Sequence, residues 1–524
     1  MNWIKNPWLL AIVSGLLLSI AWPPVFFNGI IFIAFVPLLI LEDQYYRGEN
    51  QGSYFTLQVW LTYFIWNFLT TYWVWFASKS GAVMAIVAHS AIQTLPWVAF
   101  HFTRKNFKDK LAYPALVFFL LTLEYVDFNW DIMWPWLTLG NAFAKVPSWV
   151  QWYEYTGLAG GAVWIILVNV LAFRALQQGK AMAWVKPAFY VLLPLSISWI
   201  IAANYESQID RTIDVVVIQP NVDPYSEKFD PAKADEQVDK LIRLSESKLD
   251  TSVRLLMWPE TALTDNFIEE EIGSYTNYRK VKRWLAQYPN LTLVTGASTF
   301  HFFKEGDKVT SSARQAPNGQ YYDAYNTAIR MRYGYPDVFY HKAKLVPGVE
   351  RMPFIGYLPF LEQLAINLDG TSGTLGISDE ATVMEGEGVK MAPIICYESV
   401  FSDYCTEYVR NGANLLGIIT NDGWWRNTPG YRQHFDYARL RAIENRRYIA
   451  RSANTGISGF VDDRGNVLAR SEWWVPDAMR MSLPLISKQT WYSQSGDFLG
   501  RISIVLGSLV LVAGIFRRKT KKGY

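Results

Sequence analysis

Three segments far apart in the chain each carry a side chain that could take part in covalent catalysis. Glu260 ends the segment LLMWPE, Lys342 lies within FYHKAKLVPGVE, and Cys396 ends the apolar run MAPIIC. A cysteine thiol ionises near pH ~8.5 and needs a base or a nearby cation to become a nucleophile. A carboxylate can be that base, and a lysine ammonium can stabilise the oxyanion that forms when a carbonyl is attacked. Together these residue types indicate nucleophilic acyl chemistry.

Each of these residues also has an ordinary structural interpretation. Cys396 could be a packed core residue, Glu260 could begin a solvated turn, and Lys342 could be a surface lysine. The chain has two cysteines, Cys396 and Cys405, which could pair with each other. That number is too small for a disulfide scaffold or a four-cysteine zinc site.

The three segments lie in a part of the chain where short apolar runs alternate with amphipathic stretches. Strands are predicted at residues 213–219, 253–258, 291–296, 327–332, 389–396, 415–420, 448–453 and 459–462. Helices are predicted at residues 231–248, 278–287, 402–411 and 433–445. The alternation predicts an α/β layered domain, and reactive groups in such domains are commonly displayed at the carboxyl ends of strands.

The first part of the chain has a different composition, with long apolar runs and few charges. Candidate membrane spans occur at residues 7–25, 28–41, 54–76, 82–102, 111–127, 156–176, 187–203 and 499–516. The second is short, and Pro23 and Pro24 break the run that separates it from the first. The 23 Trp residues fit a membrane protein, because aromatic rings favour the membrane interface. The predicted domains are therefore a seven-helix transmembrane domain (1–204), an extramembrane catalytic domain (205–498), and a final helix with a basic tail (499–524).

Lys and Arg concentrate in alternate loops between the predicted spans. The clearest case is the loop that contains Arg104, Lys105, Lys108 and Lys110, and the chain also ends in a basic tail. Because short cytoplasmic loops carry an excess of Lys and Arg, both termini are predicted to be cytoplasmic. The catalytic domain would then face the opposite side, which is the periplasm in a bacterium with two membranes.

Composition also bears on other classes of function. Basic residues gather at membrane edges and not on one face, so nucleic acid is not an expected partner. A transporter usually pairs charges within its spans. Here the predicted spans offer His89, His101 and Glu124 without a paired pattern, which favours a lipid-facing platform over transport.

The motifs taken together are similar to a known family. They are WPET (258–261), YHKAKLVP (340–347), ICYE (395–398), QPNVDP (219–224), TNDGWW (420–425) and the run at 433–458. In this order, and flanked by predicted spans, they resemble the apolipoprotein N-acyltransferases, which are membrane-bound members of the nitrilase superfamily. The resemblance implies an α-β-β-α sandwich for the extramembrane domain.

The resemblance also implies roles for individual residues. Glu260 would be the general base, Lys342 the oxyanion stabiliser and Cys396 the nucleophile. Supporting residues would be Glu350, Tyr397 and Glu398, and lipid-contacting residues would be Trp424, Trp425 and Phe229. The two tryptophans could equally be ordinary aromatic anchors. The chain departs from the family in reading LVPGVE where LVPFGE is usual, and in having Phe229 where Trp is common.

The reaction implied by the resemblance is acyl transfer at the bacterial inner membrane. A phospholipid, with phosphatidylethanolamine the expected donor, would acylate Cys396, and the α-amino group of a diacylglyceryl-cysteine on an apolipoprotein would then accept the chain. No cofactor or metal is expected, since a thioester preserves the acyl transfer potential. A membrane-tethered amidohydrolase of the nitrilase type is the first alternative, and a transporter or sensor is the second.

Overall fold

The computed structural model describes residues 5–25, 27–50, 52–351 and 374–522. The chain forms two compact units. One comprises residues 1–75, 79–205 and 495–524, and the other comprises residues 76–78 and 206–494.

The first unit is helical. The helices before residue 205 are α1 Pro7–Ile20, α2 Val36–Arg47, α3 Phe55–Thr71, α4 Val74–Ala77, α5 Lys79–Val83, α6 His89–Phe107, α7 Asp109–Asn129, α8 Tyr153–Gln178 and α9 Val185–Asn204. The last helix of the unit follows the second unit in sequence and spans Phe498–Lys522. Each predicted span therefore contains a helix, but several predicted boundaries differ by five or more residues, most clearly those of the second and third spans. A 3-10 turn at Asn28–Phe32 precedes α2, which continues to Arg47, and α3 ends at Thr71.

Six helical segments of the described residues are long and apolar enough to cross a membrane. They are Asn28–Arg47, Lys79–Phe107, Asp109–Asn129, Tyr153–Gln178, Ala181–Asn204 and Phe498–Arg518. A seventh apolar helix, Pro7–Ile20, is shorter. Large apolar side chains such as Leu192 and Leu509 are exposed on these helices, which is the surface expected of a protein solvated by lipid.

Several ionisable side chains in this unit are paired, contrary to the sequence prediction. His89 lies 2.9 Å from Asp127, and the buried Arg104 donates to Glu42 at 2.6 Å and to Asp43 at 2.8 Å. Charges removed from water need such partners, because an isolated buried ion is costly. The prediction was wrong because these partners lie on different helices, where composition cannot reveal them.

The second unit contains two sheets and the helices that cover them. Its strands are β1 Arg211–Gln219, β2 Val253–Met257, β3 Leu263–Ile268, β4 Thr292–Phe302, β5 Arg314–Gln315, β6 Tyr321–Arg332, β7 Val338–His341, β8 Met384–Gly386, β9 Val389–Ile395, β10 Leu415–Thr420, β11 Ile449–Ala453, β12 Gly459–Val461, β13 Val467–Arg470 and β14 Asp477–Leu485. Its helices are α10 Ala234–Glu246, α11 Thr276–Leu285, α12 Ser402–Arg410, α13 Pro429–Asn445 and α14 Trp491–Ser495. The C-terminal helix at 498–522 is accordingly α15.

The strands form one sheet of eight and one of six among the described residues. The first has the order β14-β1-β2-β4-β6-β5, with β3 paired to β4 and β7 paired to β6. The second has the order β13-β12-β11-β10-β9-β8. The centre of each sheet is parallel, with β1, β2 and β4 aligned in one and β9, β10 and β11 in the other.

The two sheets stack between two layers of helices, as the α-β-β-α prediction requires. Val216 and Ile218 of β1 pack in a buried cluster with Val238 and Leu241 of α10. The neighbouring positions of β1 are also fully buried, so this strand is covered on both faces. Ser452 of β11 donates to the Ile218 carbonyl at 2.7 Å and joins the sheets directly.

Candidate active site

Cys396 lies where β9 turns into a short 3-10 helix, Cys396–Val400. Its backbone φ is +48°, a left-handed conformation that is strained for a residue with a Cβ. Such strain costs on the order of 1–3 kcal/mol and persists only where the surroundings enforce it. Cys396 as a whole is 8% exposed, and its thiol forms no disulfide with Cys405, which is also buried. The turn thus presents a single reduced thiol at the end of a central strand.

Glu260 follows β2 and lies against β4. A Cβ added at Gly296 of β4 would lie 2.6 Å from the Glu260 Cα atom, so the close approach requires glycine. The Glu260 carboxylate accepts a hydrogen bond from the Asn326 amide at 2.8 Å. The Glu260 backbone carbonyl accepts another from the buried Lys228 ammonium at 2.9 Å. Backbone and side chain are therefore both held in place.

Lys342 directly follows β7 and is 1% exposed. Its ammonium donates to Glu350 at 2.8 Å and lies 3.4 Å from Glu260. Burial acts to lower the pKa of Lys342, but the Glu350 and Glu260 carboxylates outweigh it and hold that pKa well above its usual range. Lys342 is therefore a fixed cation in the middle of the cluster.

Asn326 of β6 was not identified from the sequence, although it joins the two glutamates. Its amide donates to Glu260 at 2.8 Å and to Glu350 at 3.1 Å, and its backbone carbonyl accepts from the Lys342 N–H at 2.8 Å. A polar residue inside the apolar strand YNTAIR was the available signal. Buried amides of this kind need partners, and here the partners are the predicted site residues.

The groups around the Cys396 thiol have opposing effects on its pKa. Burial raises the pKa of Cys396, and the negative charge of Glu260 raises it further, while Lys342 opposes both. The net direction is upward, so the resting thiol keeps its proton at neutral pH. A group that removes the proton during attack is consequently required.

The residues after Cys396 connect it to the lysine segment. Glu398 is fully buried and accepts hydrogen bonds from the Ala343 N–H at 2.7 Å and the Ile395 N–H at 2.7 Å. Burial raises the pKa of Glu398 to about 7, against the hydrogen bonds from Tyr340 and the two backbone amides. This one carboxyl group therefore ties the turn of Cys396 to the chain beside Lys342. The Tyr397 ring packs edge-on against Phe401, with ring centres 5.2 Å apart.

The turn that carries Glu350 accommodates the unusual LVPGVE sequence. Gly348 takes a φ of +74°, which glycine adopts without strain. The Glu350 N–H donates to the Val346 carbonyl at 2.9 Å, and the Glu350 carboxylate accepts from the Val346 N–H at 2.8 Å. The turn thus directs this carboxylate back towards Lys342.

The aromatic residues predicted to contact lipid occupy two places. Phe229 stacks on Trp424 with ring centres 6.2 Å apart, and Tyr225 meets Trp424 edge-on at 5.4 Å. Trp425 instead packs against the buried His434, at 5.5 Å. The first cluster joins the segment after QPNVDP to the segment after β10.

A metal could in principle be considered beside the thiol. Ligand atoms of Cys396, Asp422 and His434 lie within 4.8 Å of one another. However, Arg451 donates to Asp422 at 2.7 Å and lies 3.0 Å from His434. A permanent cation at this position already compensates the carboxylate and opposes a second cation. The donor set therefore fits a metal ion poorly.

Two protein-family models match this chain, one in each compact unit. Residues 14–171 match the family described as apolipoprotein N-acyltransferase N-terminal domain, and residues 215–491 match the carbon-nitrogen hydrolase family. A member of branch 10 of the nitrilase superfamily from Saccharomyces cerevisiae has a TM-score of 0.37 and 15% identity, covering 54% of this chain and 93% of its own.

Full-length relatives are more similar. A Chlorobaculum tepidum protein named apolipoprotein N-acyltransferase is 32% identical, with 98% of each chain covered. A Geobacter metallireducens protein of the same name is 27% identical over 98% of this chain and 96% of its own. This chain belongs to the apolipoprotein N-acyltransferase family.

Proposed function

We propose that this membrane protein transfers a fatty acyl chain from a phospholipid to the α-amino group of an N-terminal diacylglyceryl-cysteine on an apolipoprotein. The proposal is supported by family membership and, above all, by one observation. The buried Lys342 ammonium lies 3.4 Å from Glu260 and 2.8 Å from Glu350, and Glu260 raises the pKa of the Cys396 thiol while Lys342 lowers it. That arrangement suits a thiol that attacks a carbonyl.

In the first half-reaction Glu260 is the general base. It takes the proton from the Cys396 thiol as the sulfur bonds to the ester carbonyl carbon of the phospholipid. The oxyanion that forms is stabilised by the Lys342 ammonium and by the backbone N–H of Tyr397. When the tetrahedral intermediate collapses, the carbon–oxygen ester bond breaks, and the lysophospholipid oxygen receives the proton from Glu260. A thioester on Cys396 remains.

In the second half-reaction the acceptor amine attacks the thioester. Glu260 removes a proton from the amine as the carbon–nitrogen bond forms, and the same two donors hold the oxyanion. The carbon–sulfur bond then breaks, the amide leaves, and the proton on Glu260 returns to the Cys396 sulfur. The reaction is ping-pong, and no nucleotide, metal or other cofactor takes part in these steps.

The supporting residues hold the reacting groups in position. Glu350 keeps Lys342 charged and directs it, since it is the closest carboxylate to that ammonium. Glu398 holds the Cys396 turn against the lysine segment through the Ile395 and Ala343 amides. Both effects favour catalysis because even a small displacement of a reacting group lowers the reaction rate.

Phe229, Trp424 and Trp425 are proposed to contact the lipid substrates. Phe229 and Trp424 offer a stacked aromatic surface in the catalytic unit. Aromatic side chains provide large apolar contact areas at little conformational cost. Trp425 is placed differently, beside His434, so its contribution is expected to be the smaller one.

Phosphatidylethanolamine is the proposed donor, and the inner membrane the proposed location. The proposed division is a transmembrane domain at 1–204, a periplasmic catalytic domain at 205–498, and a last helix with a basic cytoplasmic tail at 499–524. The distribution of Lys and Arg among the loops supports cytoplasmic termini. Substrates anchored in the bilayer explain the membrane helices, because extracting an acyl chain costs about 0.8 kcal/mol per CH₂ group.

The test is intact-mass spectrometry of the full chain incubated with phosphatidylethanolamine, beside the variant Cys396→Ser. We expect a gain of one acyl chain that hydroxylamine reverses and that the variant lacks. Transfer is then followed by adding a diacylglyceryl-cysteine peptide, which should remove the acyl group and gain its mass. Failure to acylate with several phospholipids, while Cys396 still reacts with iodoacetamide, would contradict the proposal and favour an amidohydrolase.

A further inference from the structure

The backbone carbonyl of Cys396 is the centre of a hydrogen-bond cluster beneath the thiol. It accepts from the Ser399 hydroxyl at 2.8 Å, and the Nε2 atom of His434 lies 3.1 Å from it. His434 is also 2.8 Å from the Ser399 hydroxyl. All of these side chains are fully buried or nearly so, which means that water does not compete for the bonds.

The imidazole of His434 is fixed from its other side. Its Nδ1 atom lies 2.9 Å from Asp422 and 3.0 Å from Arg451, and Arg451 in turn donates to Asp422 at 2.7 Å. Helix α13 carries the histidine, β11 carries the arginine, and Asp422 follows β10. Three elements of the second sheet layer therefore converge on a single ring.

The neighbours indicate where the imidazole proton resides. A carbonyl oxygen has only lone pairs, so the contact with Cys396 is attractive when Nε2 carries hydrogen. On the other side, Nδ1 faces Arg451, which can only donate, and the Asp422 Oδ1 atom, which can only accept but already accepts from the Thr420 hydroxyl at 2.8 Å. Burial and Arg451 lower the pKa of His434, against the effect of Asp422. The proton on Nε2 is assigned from these contacts.

Because a peptide unit is planar and trans, the C=O of Cys396 and the N–H of Tyr397 point in opposite directions. A donor that fixes the carbonyl therefore also fixes the direction of that N–H. A donor at the carbonyl polarises the peptide too, which strengthens the N–H as a donor. We propose, resting on the proposed function, that His434 is a positioning residue that aims the Tyr397 N–H at the oxyanion through the Cys396 carbonyl.

Two substitutions separate this role from ordinary core packing. In His434→Gln the amide nitrogen reaches the place of Nε2 and can still donate to the carbonyl. In His434→Asn the amide reaches only the place of Nδ1, so contacts with Asp422 and Arg451 remain while the donor to Cys396 is lost. Both variants are the full chain, and their thermal unfolding is measured alongside.

The readouts are the single-turnover rate of acylation by phosphatidylethanolamine and the rate of alkylation of Cys396 by iodoacetamide. Alkylation attacks a saturated carbon and forms no oxyanion, so it reports the thiol alone. We expect H434Q to acylate within about tenfold of the unaltered chain and H434N to be about 100-fold slower, with alkylation similar in all three. Equal acylation rates in the two variants, or alkylation that falls in parallel with acylation, would overturn the role of His434. An unaltered chain that alkylates but never acylates would overturn both this role and the proposed function.

A second pair of variants keeps the proposal testable if the His434 variants do not fold. Ser399→Ala removes the other donor to the Cys396 carbonyl, while Ser402→Ala removes a buried hydroxyl that contacts Tyr492 at 2.8 Å instead. We expect about a fivefold loss of acylation in S399A, as for one neutral hydrogen bond, and none in S402A. Equal rates in S399A and S402A would contradict a role for the carbonyl.

Discussion

The ammonium of Lys342 donates to the Oε1 atom of Glu350 at 2.8 Å, and this is the shorter of its two contacts with the site glutamates. Glu260 lies at 3.4 Å from the same ammonium and receives its shorter hydrogen bond from Asn326. The two glutamates consequently have different surroundings, although both approach the lysine. This difference supports the proposed roles, in which Glu350 holds the cation and Glu260 exchanges a proton with Cys396.

Glu350→Gln tests the role of Glu350 in holding Lys342. Loss of the nearest carboxylate should lower the acylation rate about 10- to 100-fold, because Lys342 loses its closest partner and drifts from the oxyanion position. The variant should also unfold at a lower temperature, since one partner of a buried pair has been neutralised. Single-turnover acylation and thermal unfolding measure the two effects.

The matched control is Glu385→Gln, which breaks an exposed pair with Lys390. Exposed pairs contribute little, so this control should change neither quantity. Acylation by E350Q at the rate of the unaltered chain would show that Glu350 is dispensable.

The two lysines of the motif allow a second comparison. Lys342→Met removes the fixed cation and should slow acylation by about 10²- to 10³-fold, the usual cost of one oxyanion donor. Lys344→Met is the control, because the Lys344 ammonium lies over the Phe401 and Tyr404 rings and not beside Glu260. Single-turnover rates with phosphatidylethanolamine make the comparison. If K344M were the slower variant, the assignment of the oxyanion stabiliser would be wrong.

The places of Glu260 and Cys396 at strand ends could be predicted because their motifs end apolar runs, whereas their roles were implied by the family resemblance. The strands before Glu260 and Cys396 were predicted within one residue of their ends at Met257 and Ile395. No strand was predicted at β7, which immediately precedes Lys342, because four residues are too few to show a period. The turn of Cys396 was likewise invisible, since a positive φ at a non-glycine residue is enforced by the surrounding fold.

The sequence analysis also did not predict hydrogen-bond partners that are far apart in the chain. Asn326 is 66 residues from Glu260 in sequence, and its role depends on the pairing of β6 with both β4 and β7. His89 and Asp127 are 38 residues apart and meet only because α6 and α7 pack together. Periodicity predicts which face of an element is buried, but it does not predict which polar group on another element will face it.

The pH dependence of Cys396 alkylation provides a third prediction. Burial, with Glu260, raises the pKa of this thiol, and a raised pKa leaves less thiolate at any given pH. The alkylation rate should therefore still be rising at about pH 10, where an exposed cysteine with a pKa of about 8.5 has levelled off. The measurement uses iodoacetamide on a Cys405→Ala background, with the unfolded chain as reference. A plateau below pH 8 would show that Lys342 dominates and that the thiolate preexists.

Gly296 offers a test that changes no functional group. A methyl group there would lie 2.4 Å from the Thr261 nitrogen and 2.6 Å from the Glu260 Cα atom, both of them backbone atoms that cannot turn aside. Gly296→Ala should displace Glu260 and slow acylation about 100-fold, whereas iodoacetamide should still reach Cys396. Gly273→Ala is the control, since a Cβ at that position meets nothing within 4 Å. Because the base would be moved while the thiol and the lysine stay intact, normal acylation by G296A would mean that Glu260 is not the group that removes the proton.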